Sequence, residues 1–145
     1  MCTENNTESK KLSRYKLREQ VFLLCFEKLF NDDSFEDIIE NTIDSRDLQL
    51  DQKAIETAKR IIENSEQIDS YISDNLKKGW RISRLSKVSL SVMRLAVYEM
   101  LFEEKIPVSV SINEAVELAK KYSDDASFIN GVLGAIARKL PQKEQ

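Results

Sequence analysis

Apolar residues recur along this chain with the period of an α-helix. Across residues 13–30, Leu17, Val21, Leu24 and Cys25 fall on one stripe, the spacing of a helix with one buried face. Phe22, Phe26 and Leu29 widen it, so the second half of this helix is expected to be largely buried. Ser13 stands where an N-cap belongs. After Asn31-Asp32-Asp33, Ser34 can cap a short helix carrying Phe35, Ile38, Ile39 and Ile43. Residues 44–50 read as a loop. Asp51 then caps a long helix with the row Ile55, Ala58, Ile61, Ile62, Ile68, Ile72 and Leu76. That row predicts roughly seven continuous turns, closed by Lys77, Lys78 and Gly79.

Residues 80–85 read as a connection, with Trp80 covering the core. Ser86 caps a helix carrying Val88, Val92, Leu95, Ala96, Met100 and Leu101, which Ile106-Pro107 ends. The stretch 108–112 alternates apolar and polar, which is a strand signal. Val108, Ile112, Ala115, Val116, Ala119 and Tyr122 also form a helical stripe three times as long, and the longer pattern decides for helix. Residues 123–125 turn the chain into a last helix with Phe128, Ile129, Val132, Leu133, Ile136 and Leu140, stopped by Pro141. The expectation is an all-α fold of about six to seven helices around one core. Residues 13–140 form its single domain, between a disordered tail over 1–12 and a short tail over 141–145.

Composition removes most chemistry. The 145 residues include no histidine, which excludes the usual triads and the commonest general base. None of the three glycines makes a phosphate-cradling loop. Neither a cofactor nor a metal site is expected, and the protein reads as no enzyme. Cys2 lies in a polar segment, and Cys25 lies in an apolar one as a small core residue. No apolar run approaches the ~18 residues of a membrane span, and residues 1–9 lack the layout of a secretory signal. The reading is cytoplasmic. Arg94 and Glu99, on a largely apolar helix, are expected in ion pairs between helices.

Net charge is −3, yet Lys10, Lys11, Arg14, Lys16 and Arg18 fall within nine residues that hold no acid. Such a patch can bind a polyanion on an acidic protein. Cations at a helix start oppose its dipole, a cost that a binding role would explain. If Arg14, Lys16 and Arg18 meet three phosphates, they supply affinity without sequence choice. Tyr15 among them can stack a base or pack on the helix surface, and both readings stay open.

Two stretches point to a family. Arg84-Leu85-Ser86-Lys87-Val88, continued by Leu90-Ser91-Val92-Met93-Arg94-Leu95-Ala96-Val97-Tyr98-Glu99-Met100-Leu101, is the first. The second runs from Ile106-Pro107 through Ile112-Asn113-Glu114-Ala115-Val116-Glu117-Leu118-Ala119-Lys120-Lys121-Tyr122 to Phe128-Ile129-Asn130-Gly131-Val132-Leu133. With Arg14, Lys16, Arg18 and Glu19 they resemble the NusB family of transcription antitermination factors over about residues 13–140. The resemblance implies two packed helical halves. It also implies binding of boxA-type single-stranded RNA together with NusE, a small-subunit ribosomal protein. The complex helps RNA polymerase pass termination signals in ribosomal RNA operons. Some members are dimers and others monomers, so a homodimer stays open.

By the same resemblance the RNA surface includes Arg14, Lys16, Arg18, Asp124 and Phe128, and the basic run itself adds Lys10, Lys11 and Tyr15, the last standing where the family has a basic residue. On pattern alone Phe128 reads as a core residue before an RNA platform, and the resemblance brings the two readings level; Asp124 can also be a helix cap. The implied NusE surface includes Phe26 and the position of Ser89. Phe26 lies off the tidiest stripe and is expected to be partly exposed as an anchor, with a core role as the alternative. Ser89 stands where the family has an acid, so Ser89→Glu is expected to strengthen pairing or leave it unchanged. A helical protein-interaction module with an incidental basic segment is the competing reading.

Overall fold

The computed structural model describes residues 13–30, 32–46, 49–141 and 143. Seven α-helices and one 3-10 turn occur among them, and no strand does. The helices are α1 (Arg14–Lys28), α2 (Phe35–Arg46), α3 (Gln52–Glu63), α4 (Ser65–Asp74), α5 (Lys87–Phe102), α6 (Val108–Tyr122) and α7 (Ala126–Lys139), with the 3-10 turn at Ile82–Arg84 before α5. The expected tail over 1–12 lies outside the described residues.

Short polar side chains start several of these helices. Ser13 Oγ accepts from Lys16 N at 3.2 Å, Ser34 Oγ from Asp37 N at 3.1 Å, and Ser86 Oγ from Ser89 N at 3.0 Å. Asp51 Oδ1 accepts from Lys53 N, while Asp51 N donates to Gln20 Oε1 at 2.8 Å and so ties the start of α3 to α1. Each bond satisfies an amide that the helix itself leaves unpaired.

Helix α1 packs against α2, α3 and α5; α5 packs against α1, α4, α6 and α7. Both are therefore buried on nearly every side. Val21 to Cys25 are buried in succession in α1, and Leu95 to Met100 in α5. Phe22, Leu24, Ile61, Ile68, Met93, Leu118, Ile129 and Leu133 have almost no exposure, and they join six of the helices in one core. Cys25 is part of it, and burial pushes its thiol up to about 12, where it is unreactive.

The structure corrects the expected elements in three places. The long helix is two: Asn64 ends α3 and begins α4. Its Nδ2 donates to Arg60 O at 2.7 Å, sharing with the Asn64 amide a carbonyl of the last turn, a side-chain bond that competes with continuation of the helix. Asn75 repeats the device on Tyr71 O, so α4 stops at Asp74, before Lys77. Lys77 to Trp80 then form a turn, closed by Trp80 N donating to Lys77 O at 2.9 Å. Gly79 there has φ +91°, a conformation that side chains resist. Finally, α2 continues to Arg46 through part of the expected loop, and Arg46 pairs with Glu27 at 3.2 Å.

The contested stretch 108–112 is helix, the first turn of α6. Its reward is visible at Ser111, which is buried and donates to Glu99 at 2.8 Å. Pro107 precedes this turn, where its missing N–H costs nothing. Lys143, in the expected C-terminal tail, donates from Nζ to the carbonyls of Glu99, Glu103 and Ile106 at 3.0, 2.7 and 2.7 Å. It thereby caps the carbonyl end of α5, and burial pulls its pKa down.

Candidate nucleic-acid interface

The basic segment divides on folding. Arg14 and Lys16 are exposed at the start of α1, and Tyr15 between them is half-buried against the core. Burial, and then the Glu19 charge, push the Tyr15 phenol up. Lys10 and Lys11 lie outside the described residues. Arg14 also rims a cleft of about 310 Å³ between α1, α3 and α5, with Lys53 and Lys105 beside it and Leu17 and Tyr98 among its apolar lining.

Arg18 and Glu99 lie in the wall of the same cleft, but Arg18 is not part of the exposed surface. It is buried, and its Nε and Nη2 donate to the two carboxylate oxygens of Glu99 at 2.7 and 3.1 Å. Its Nη1 lies 3.7 Å from Glu114. This is a correction: a guanidinium committed to two carboxylates inside the protein is not free to meet a phosphate. The pairing realises the expected ion pair for Glu99. Arg94 does the same with Asp69, at 2.8 and 2.6 Å.

Beside Arg18, Glu19 accepts from Lys121 Nζ at 2.6 Å and from Tyr122 Oη at 2.5 Å. Burial acts to raise its pKa, but the two donors outweigh it and hold the carboxyl below its ordinary range. Tyr122 is pushed up to about 12 by its own burial and by Glu19. These contacts fasten the end of α6 to α1, and the chain then enters the turn that carries Asp124.

Asp124 is exposed, and Asp125, one residue on, is the residue that precedes α7. Phe128 is half-buried, with its ring 5.7 Å from that of Trp80. Trp80 was expected to cover the core; it packs on Phe128 and stays 51% exposed.

On the expected partner side, Phe26 is half-buried, as its place off the stripe suggested. Its ring stacks on Phe22 at 5.7 Å and meets the edge of Phe30 at 4.8 Å. Phe30 is exposed, with Lys87 Nζ 5.2 Å above its ring. The geometry thus adds Phe30 and Lys87 to this patch, and the i, i+4, i+8 spacing of the three phenylalanines was the signal for the first. Ser89 is a second correction. It is 1% exposed and donates to Asp125 Oδ2 at 2.9 Å, so it offers no surface to a partner.

The profile described as "NusB family" matches residues 15–138. The chain belongs to the NusB family. Among curated relatives, the transcription antitermination protein NusB of Clostridium botulinum (strain Kyoto / Type A2) is 47% identical over 141 residues, covering 85% of this chain and 98% of the relative. Among solved structures, NusB of T. maritima is 41% identical with a TM-score of 0.73, covering 89% of this chain and 93% of that one. A chain from the crystal structure of antitermination factors NusB and NusE in complex with dsRNA is 27% identical, with a TM-score of 0.72, over 89% of this chain and all of its own length. Membership in the NusB family agrees with the all-helical fold and with the motifs on α5, α6 and α7. No helix among the described residues is long and apolar enough to cross a membrane.

Proposed function

We propose that this NusB-family chain is a cytoplasmic transcription antitermination factor. It binds boxA-type single-stranded RNA and the ribosomal protein NusE, and it supports RNA polymerase through termination signals in ribosomal RNA operons. The observation that carries the reading is the likeness, over nearly the whole domain, to a NusB structure solved with NusE and RNA. The surface is compatible with it. Arg14 and Lys16 present positive charge at the start of α1, while Tyr15 and Phe128 are half-buried aromatics of the kind on which unpaired bases stack.

Gel shifts with a boxA-like RNA across a salt series test the nucleic-acid half. Each phosphate contact on a single strand contributes about 0.7 to the slope of log affinity against log salt. With Arg18 withdrawn, the Arg14→Ala/Lys16→Ala variant is expected to bind every RNA more weakly and to have a slope shallower by about 1.4. An unchanged slope would move the phosphate contacts away from α1. RNA binding that is absent under all conditions favours the protein-interaction module.

Calorimetry with the cognate NusE tests the other half. Phe26 stacks on Phe22 and meets Phe30 but stays half-buried, so Phe26→Ala is expected to stay folded and to weaken pairing by about 2 kcal/mol, as a central aromatic anchor does. A folded variant that binds at full strength places the partner surface elsewhere.

A further inference from the structure

The α4–α5 connection combines three features that the α1 site does not use. From Asn75 to Tyr98 the chain holds Lys77, Lys78, Arg81, Arg84, Lys87 and Arg94 and no acid, within a protein of net charge −3. Lys77, Lys78, Arg81 and Arg84 are all exposed, and among the described residues none of them is in an ion pair. In their midst stands Trp80, half of its large apolar surface open to solvent.

Trp80 is also held in place. The turn at Gly79 sets its backbone, and a Cβ at Gly79 would meet nothing within 4 Å, so the positive φ and not crowding makes glycine necessary there. Two residues later Ile82 packs against the core. The ring rests on Phe128 at 5.7 Å, with the planes 35° apart. An aromatic fixed on one side loses little freedom when a flat group covers its other side.

We propose that Trp80 and its basic neighbours are a second contact for single-stranded RNA, in which one unpaired base stacks on the Trp80 indole and adjoining phosphates meet Lys77, Lys78 and Arg81. The inference rests on the antitermination reading and extends its site from α1, past Lys121 and Asp124, to the α4–α5 connection. The chemistry favours a nucleic acid over an apolar protein groove. The open apolar surface is one indole, too small to seat a helix, and the charged residues on its own connection are all basic. Asp124, four residues before Phe128, is the acid nearest in sequence to that ring apart from Asp125, which is taken up by Ser89, and it can accept from a base amino group.

Because Trp80 is the only tryptophan, intrinsic emission reports on this position alone. Titration of the intact protein with boxA-like RNA, and with oligo(A) of the same length, is expected to quench that emission with the midpoint seen in gel shifts. Trp80→Ala is expected to bind roughly tenfold more weakly, while Trp80→Phe, which keeps a stacking face, retains most affinity. Lys77→Ala/Lys78→Ala/Arg81→Ala is expected to flatten the salt slope by about 2. Thermal melts separate these effects from unfolding, and the emission of the unmutated protein reads the contact whether or not Trp80→Ala folds. If RNA binding depends on Arg14 and Lys16 while emission stays constant, the inference is overturned and the antitermination reading stands. Emission that answers to NusE and not to RNA overturns it too, by giving the ring to the protein partner. Binding of no RNA at all removes both.

Discussion

Arg18→Ala is expected to cost about 3–5 kcal/mol of folding stability, the penalty for leaving a buried charge without its partner. Glu99 is 6% exposed, and in the variant it would keep only the Ser111 hydroxyl as a side-chain donor. Against a total stability of about 5–15 kcal/mol for a domain of this size, that loss is large. Urea melts of the two proteins measure it. The double variant Arg18→Met/Glu99→Leu is expected to recover a good part, because both charges leave together. A loss under about 1 kcal/mol for Arg18→Ala would return Arg18 to the solvent and to the phosphate-binding set.

Ser89→Glu is expected to destabilise by about 2–3 kcal/mol, where the family resemblance implied stronger or unchanged pairing with NusE. Two effects compete. Position 89 is the third residue of α5 after the Ser86 cap, where a carboxylate normally helps by about 0.5–1 kcal/mol. Here that carboxylate would enter a site with 1% exposure, next to Asp125, which already accepts the Ser89 hydroxyl. The cost of burial beside a like charge outweighs the gain at the helix start. Thermal melts of Ser89→Glu and of Ser89→Glu/Asp125→Ser decide, since the second variant removes the like charge and is expected to recover most of the loss. A Ser89→Glu protein as stable as the original would mean that the start of α5 opens readily to water.

The two variants mark where sequence reasoning stops. Helices with one buried face declare themselves by spacing, and the stripe through Val108, Ile112 and Ala115 rightly outweighed a five-residue alternation. A break that preserves phase does not show: Ile61 and Ile68 stay seven apart whether or not Asn64 interrupts the helix between them. Nor does a basic run reveal which members face water. Arg14 and Lys16 do, whereas Arg18 meets a glutamate 81 positions away. Trp80 misled for a related reason. Large aromatics usually cover cores, and the ring it packs on, Phe128, is itself only half-buried.

The hydrogen bond between Ser89 and Asp125 also bears on how this chain reached its present sequence. At the start of α5 a negative charge is delivered by the residue before α7 and not by the helix itself. The two positions are therefore not free to vary independently. Placing an acid at 89 while Asp125 remains passes through an intermediate with a buried carboxylate beside a half-buried one. Changing 125 first passes through one in which α5 lacks a favourable charge and the buried Ser89 hydroxyl loses its acceptor, at a cost of about 1–3 kcal/mol. Neither mutational order is shallow, so the serine is locked in by a residue at the start of another helix.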